Sequence, residues 1–272
     1  MAAEDDRRSD LARIDEALRR AGALLVELAG RPLDVQRKPG GDPVTEADRR
    51  VDALLRELLV RPGEGWLSEE TADDPARLGC ARVWVVDPLD GTKEFIEGIP
   101  EWTVSIGLVE GGESGRAVAG GIFNPSTGEL FAGAVGCGAT LNGRPATVSA
   151  HPALAGATVL ASRSEVGRGE WERYRDAPFT VLPTGSIAYK LARVAAGLAD
   201  ATWTASPRHE WDVAAGTALV LAAGGEVRTP AGEPPSFNRR RPLLPGIAAA
   251  NPRLLAELPA FQGAVAPAAP AR

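Results

Sequence analysis

The stretch Val83-Trp84-Val85-Val86-Asp87-Pro88-Leu89-Asp90-Gly91-Thr92-Lys93-Glu94-Phe95 decides the reading of this chain. Four apolar residues, mostly β-branched or aromatic, predict a strand buried on both faces. That strand ends on Asp87, a carboxylate at a position where burial disfavours charge. A second carboxylate, Asp90, follows three residues later, and Pro88 between them predicts a turn. Gly91 permits a backbone conformation closed to other residues, and Thr92 is placed to cap a short helix through Ile96. Two carboxylates and a helix amino end then surround one small volume. Carboxylates attract cations and unpaired N–H groups attract an anion, so a phosphate held on divalent metals satisfies both.

Competing readings explain less. A turn-capping Asp accounts for one carboxylate and not for Asp87, Asp90, Gly91 and Thr92 together. A calcium loop needs acidic ligands where Val86 and Pro88 stand, although Glu97 falls where its last ligand belongs. An aspartyl-phosphatase motif puts its nucleophile two residues before the second Asp, and Pro88 occupies that place.

Asp87-Pro88-Leu89-Asp90-Gly91-Thr92 resembles the first signature of the inositol monophosphatase superfamily of magnesium-dependent, lithium-sensitive phosphatases. The continuation Lys93-Glu94-Phe95, with Glu101-Trp102-Thr103-Val104, is similar to its 3′(2′),5′-bisphosphate nucleotidase (CysQ-type) branch. Glu210-Trp211-Asp212-Val213-Ala214-Ala215-Gly216 resembles the second signature, and its small residues suit a helix packed closely against a neighbour. Weaker matches are Val44-Thr45-Glu46-Ala47-Asp48, the pair Glu69-Glu70 ahead of the first signature, the Gly185-Ser186 helix start, and Phe237 to Pro242. Ser162-Arg163-Ser164 also matches the nucleotidase branch, which often continues with His where this chain has Glu165. The resemblance spans about Lys38 to Leu258.

Each match also has an ordinary structural reading. Thr45 and Asp48 have capping-box spacing. Adjacent glutamates are usually solvated, and an Asp in the first turn of a helix favours its dipole. Lys38 is either a phosphate-site lysine or plain surface, and His209 either a substrate contact or a hydrogen-bonded spectator.

The chain has 272 residues, 44% of them hydrophobic, enough for one large domain or two compact ones. A net charge of −6 argues against binding a nucleic acid polymer, while leaving room for a basic pocket. Lysine is scarce (Lys38, Lys93 and Lys190), which makes each one worth examining. Cys80 and Cys137 match no metal or redox spacing, and buried free thiols in a reducing cytoplasm are expected. No apolar run reaches membrane length, and Met1 to Asp10 does not read as a signal peptide, so a cytoplasmic protein without a membrane partner is expected.

Helical periodicity predicts an amphipathic helix over about Ser9 to Ala29 and a second opened at Thr45. Alternation over 102–108 predicts a half-buried strand, followed by strands over 117–123 and 129–135 and a tight turn at Asn142-Gly143. Residues 1–150 are thus expected to form an α+β unit carrying the metal-binding carboxylates. Residues 151–262 are expected to form an α/β unit with substrate-binding residues and the last metal ligand. Residues from Pro259, and the tail 263–272, read as frayed. The fold class is α/β, and the resemblance implies a layered αβαβα sandwich of the inositol monophosphatase and fructose-1,6-bisphosphatase type.

The resemblance further implies two or three Mg2+ ions, and an oxygen-only ligand set agrees with magnesium. In the implied arrangement Asp87 bridges, Glu69 and the Leu89 carbonyl serve one metal, and Asp90 and Asp212 serve the other. Asp48 holds a third ion through water, and Glu69 with Thr92 orients the attacking water. Gly91, Thr92, Lys93, Ser162, Arg163, Gly185, Ser186 and Glu210 are the implied substrate-binding residues. The implied partner is a small phosphorylated metabolite, and a homodimer is among the expected states. The leading substrate is 3′-phosphoadenosine 5′-phosphate, cleaved to AMP and phosphate. The alternatives are inositol 1-phosphate or a sugar phosphate, or a non-catalytic phosphate-binding role.

Overall fold

A computed structural model describes residues 2–29, 35–37 and 43–262. Lys38 and the tail 263–272 lie outside the described residues.

The first half runs α1 (Ala2–Ala29), β1 (Val35–Arg37), β2 (Pro43–Thr45), α2 (Glu46–Leu59), β3 (Gly65–Ser68), β4 (Arg82–Asp90) and α3 (Thr92–Glu97). It continues with β5 (Thr103–Glu110), β6 (Arg116–Asn124), β7 (Glu129–Ala134), β8 (Gly138–Leu141) and β9 (Arg144–Ala146). Strands β3 to β9 form one seven-stranded sheet in sequence order, antiparallel except for the β3–β4 pair.

The second half holds β10 (Thr158–Ser162), α4 (Arg163–Gly167), β11 (Thr180–Thr184), α5 (Ile187–Ala195), β12 (Ala201–Thr204), β13 (Arg208–His209) and α6 (Glu210–Ala222). It ends with β14 (Glu226–Arg228), β15 (Leu243–Leu244), β16 (Ile247–Ala250) and α7 (Pro252–Gln262). Its five-stranded sheet has the order β11-β10-β12-β16-β14, and β13 pairs separately with β15.

Three apolar clusters give the layering. Leu18, Leu25 and Leu55 of α1 and α2 pack on Trp84, Val86, Val104 and Ile106, one face of the large sheet. The opposite face (Val83, Val85, Ile122, Phe131) meets α5 and α6, which also cover Leu160, Ile247 and Ala249 of the small sheet. The far side of the small sheet carries Trp171, Tyr174, Phe179 and Trp203 with Leu254 and Leu258 of α7. The order of layers is therefore αβαβα. No described helix is long and apolar enough to cross a membrane.

Several expectations are corrected. Strand β4 continues through Pro88 to Asp90, with an irregularity between Asp87 and Asp90, where a turn was expected. Its partner β3 ends at Ser68 opposite Val86, so Pro88 interrupts no ladder on that side. Strand β5 is buried on both faces because α6 lies across it. Helix α1 starts at Ala2, its polar first turns tied to the sheet by Arg7–Glu110 and Asp10–Arg82 pairs at 2.5 Å. At the other end α7 carries the chain in helix through Gln262. Neither cysteine is buried: Cys80 is partly exposed and Cys137 exposed.

The small residues of the second signature set the spacing of the layers. A Cβ on Gly107 of β5 would lie 2.9 Å from the Ala215 nitrogen, and one on Gly120 of β6 2.6 Å from the Ala215 oxygen. Helix α6 therefore rests directly on the sheet backbone, which brings its amino end and Asp212 to the carboxyl end of β4.

Candidate active site

Asp87 is buried at the end of β4, 2% exposed, and its Oδ1 accepts the Leu89 N–H at 2.9 Å. Carboxylate oxygens of Glu69, Asp87 and Asp212 lie within 4.8 Å of one another. Burial, then the charges of Glu69, Asp90 and Asp212, holds the Asp87 carboxyl well above its usual range. Asp212 is raised in the same way by burial, Asp90 and Glu69, while Arg208 opposes the shift. Such crowding of like charge is what a divalent cation relieves, and the oxygen-only donor set fits magnesium.

Gly91 takes the cap position expected of Thr92. Its φ of 98° lies in the left-handed region, and a Cβ there would meet the Glu101 carbonyl at 2.9 Å. Thr92 becomes the first residue of α3, with Oγ1 3.2 Å from Asp48 Oδ1 and 3.1 Å from the Leu89 carbonyl. The other oxygen of Asp48 accepts from the Thr45 N–H and hydroxyl, both at 2.7 Å. Asp48 thus completes a capping box and stands behind Thr92 at the same time.

Asp90 faces the second half of the chain. Its Oδ2 accepts from the Ser186 hydroxyl and the Ala188 N–H, each at 2.7 Å. Asp212 plays the corresponding part on α6, accepting the His209 N–H at 3.0 Å.

These groups open on one cleft of about 370 Å³, within the range of small-molecule sites. The cleft brings together Glu69, Asp87, Leu89, Asp90, Gly91, Thr92, Lys93, Ser162, Arg163, Gly185, Ser186 and Asp212 of the expected set. Asp48 and Glu210 are not among its lining residues. Glu210 is fully buried at the base of α6 and accepts the Asn238 and Arg239 N–H groups at 2.7 and 3.1 Å. Burial raises its pKa to about 7.

Arg163 and Glu165 are placed otherwise than their adjacency suggests. Arg163 pairs with Glu101 at 2.5 Å, and the same Glu101 oxygen accepts the Gly185 N–H at 2.6 Å. Glu165 turns inward, 3% exposed, and bonds Arg208. His209 lines the cleft and stacks on Trp211 with ring centroids 4.3 Å apart.

The sequence reading missed Lys190 and Arg208 as cleft residues. Lys190 is 3% exposed, donates to the Thr184 carbonyl at 3.3 Å, and is pushed down to a pKa of about 8 by burial. The scarcity of lysine was the available signal, since Lys93 and Lys190 both line the cleft. Arg208, one arginine among many, carried no such mark.

The chain is similar to curated proteins and solved structures of one family. The chain is 38% identical over 221 residues to an inositol-1-monophosphatase of Rhizobium meliloti, covering 77% of this chain and 81% of that one. Extragenic suppressor protein suhB from Bartonella henselae superposes with a TM-score of 0.79 at 32% identity, over 92% of this chain and 97% of that one. CysQ from Bacteroides thetaiotaomicron, a bacterial member of the inositol monophosphatase family, matches with a TM-score of 0.76 at 28% identity, over 89% and 97% of the two chains. The inositol monophosphatase family pattern covers residues 7–263, and this chain belongs to that family of phosphatases.

Proposed function

We propose that this chain hydrolyses a phosphomonoester bearing a second phosphate, with 3′-phosphoadenosine 5′-phosphate cleaved to AMP and phosphate as the leading substrate. The supporting observation is the lining of the cleft. Glu69, Asp87, Asp90 and Asp212 share it with four cationic residues, Lys93, Arg163, Lys190 and Arg208. One phosphate and its counterions answer the first group; the second group suits further negative charge on the same molecule.

Glu69, Asp87, Asp90, Asp212 and the Leu89 carbonyl would hold two or three magnesium ions. When bound, such ions neutralise the carboxylates, screen the phosphate and make water a stronger acid. Thr92 can donate its single hydroxyl proton to Asp48 or to Leu89, which leaves its lone pairs to accept a proton from the attacking water. Glu69 orients that water as well. The Gly91 and Thr92 N–H groups hold phosphoryl oxygens. The water oxygen bonds to phosphorus as the ester P–O bond breaks. Its proton departs toward Thr92 and Asp48, and the released oxygen takes up a proton from solvent water to leave as a hydroxyl. No side chain is required as a nucleophile, so no phosphoenzyme forms.

A second reading, hydrolysis of inositol 1-phosphate, is supported by the name of the Rhizobium meliloti relative. Phosphate release from both substrates, with and without magnesium, tests the proposal. A higher kcat/KM for the bisphosphate nucleotide is expected. Preference for inositol 1-phosphate would establish the second reading, and release from neither would make the chain a phosphate-binding protein.

A further inference from the structure

The Glu165 carboxylate is enclosed by three donors from three parts of the second half. Its Oε1 accepts from Arg208 Nη2 at 2.7 Å and from the Thr204 hydroxyl at 2.5 Å, and its Oε2 from the Trp171 indole at 3.1 Å. Glu165 does not line the cleft, but Arg208 does. The pair therefore runs from a carboxylate in the interior to a guanidinium at the cleft wall. Arg208 Nε is buried without a hydrogen-bond partner among the described residues, so the guanidinium is fixed through the Nη2 bond to Glu165. Arg208 lines the cleft together with Asp212 and Lys190, and its charge is felt by both. Arg208 and Lys190 line the same cleft, where one anionic group can meet both.

We propose that Glu165 is a positioning residue that holds the Arg208 guanidinium against the cleft, where Arg208 and Lys190 together bind the second anionic group of the substrate. The inference rests on the phosphatase reading above and deepens it by naming the residues that distinguish a bisphosphate from a monophosphate. It also gives a role to Glu165, which stands where the nucleotidase branch often has His: in the fold it anchors an arginine 43 positions away. Fixing a long side chain before the ligand arrives removes an ordering cost from binding.

Competition against hydrolysis of p-nitrophenyl phosphate by the magnesium-loaded enzyme provides the test. Inhibition constants for 3′-phosphoadenosine 5′-phosphate and for inositol 1-phosphate are measured in wild type, Arg208→Gln and Glu165→Gln. These constants are defined whichever compound proves the better substrate, so a failure of the substrate assignment shows in wild-type turnover and remains separate. Arg208→Gln is expected to weaken the bisphosphate roughly ten- to a hundredfold, and inositol 1-phosphate less than about threefold. Glu165→Gln removes the charge and keeps one of the two acceptor oxygens, and should weaken the bisphosphate in the same selective way by a smaller factor. Should that variant fold poorly, Glu165→Asp retains the charge on a shorter arm and is read by the same ratio. Equal losses for both ligands, or none in Arg208→Gln, would overturn the assignment of the anion site. A selective loss in Arg208→Gln with none in either Glu165 variant would overturn the positioning role.

Discussion

The Asp90 carboxylate closes the amino end of α5: one oxygen accepts both the Ala188 N–H and the Ser186 hydroxyl, each at 2.7 Å. A residue of the first signature is thereby bonded to a helix that begins almost a hundred positions later, and the cleft between the halves is held at that point. Asp212 does the same for its own helix through the His209 N–H.

Two variants separate charge from capping at these positions. Asp90→Asn and Asp212→Asn each retain an acceptor and remove a negative charge from a crowded site. Both are expected to fold, to lose turnover, and in EDTA to melt no lower than wild type, since the like charges that raise Asp87 and Asp212 are relieved. The rise in Tm that magnesium gives wild type should vanish. Asp90→Ala also loses the α5 cap, a cost of about 1 kcal/mol, and should melt below Asp90→Asn. Near-normal activity in either Asn variant would refute the ligand roles.

Thr92 lies between Asp48 and the Leu89 carbonyl, a hydroxyl with two acceptors and one proton. Thr92→Val keeps the shape and removes the proton relay, so kcat should fall by roughly 10²–10⁴-fold with KM changed far less. Thr92→Ser should recover most of the rate. Steady-state kinetics on the three proteins checks this, and a Val variant within a few-fold of wild type would exclude Thr92 from the chemistry.

Close contact between α6 and the large sheet predicts a remote effect on activity. The Cβ introduced by Gly120→Ala would lie 2.6 Å from the Ala215 oxygen, and neither backbone can yield without moving the helix. A loss of about 1–3 kcal/mol is expected. Because the same helix carries Asp212, kcat/KM should also fall by roughly tenfold or more. Gly79→Ala, where a Cβ meets nothing within 4 Å, should change neither. Urea melts and kinetics on both variants make the comparison.

Lys190 gives the metal-free protein a stability that rises with pH. Burial holds its pKa at about 8 in the fold against 10.5 in the open chain, with Asp90, Glu94 and Glu165 opposing the shift and Arg208 adding to it. Below pH 8 the ammonium is charged in both states, and the fold bears the full cost of burying it. Between pH 8 and 10.5 the unfolded chain keeps a proton that the fold has released, so stability increases across that window. Lys190→Met should therefore be more stable than wild type by roughly 3 kcal/mol at pH 7 in EDTA, with the difference vanishing near pH 10.5. Denaturant melts at several pH values read it directly; a variant less stable than wild type at pH 7 would show that the ammonium is better compensated than its burial implies.

What the sequence determined by itself was local. The apolar run Val83 to Val86, the period of α1 and α2, the capping box of Thr45 and Asp48, and the two acidic signatures are all written in neighbouring residues, because burial of one face leaves its period in the chain. Only the tertiary structure decided the pairings across distance. Thr92 meets Asp48, Arg163 meets Glu101 and Glu165 meets Arg208, over separations of 44, 62 and 43 positions. Each depends on how the layers are registered against one another. That register is set where the Ala214-Ala215 turn of α6 settles on the bare backbone of Gly107 and Gly120, a fit no local pattern encodes. Arg163 and Glu165 show this within one short helix, since two positions apart they bond Glu101 and Arg208, far from each other in the chain.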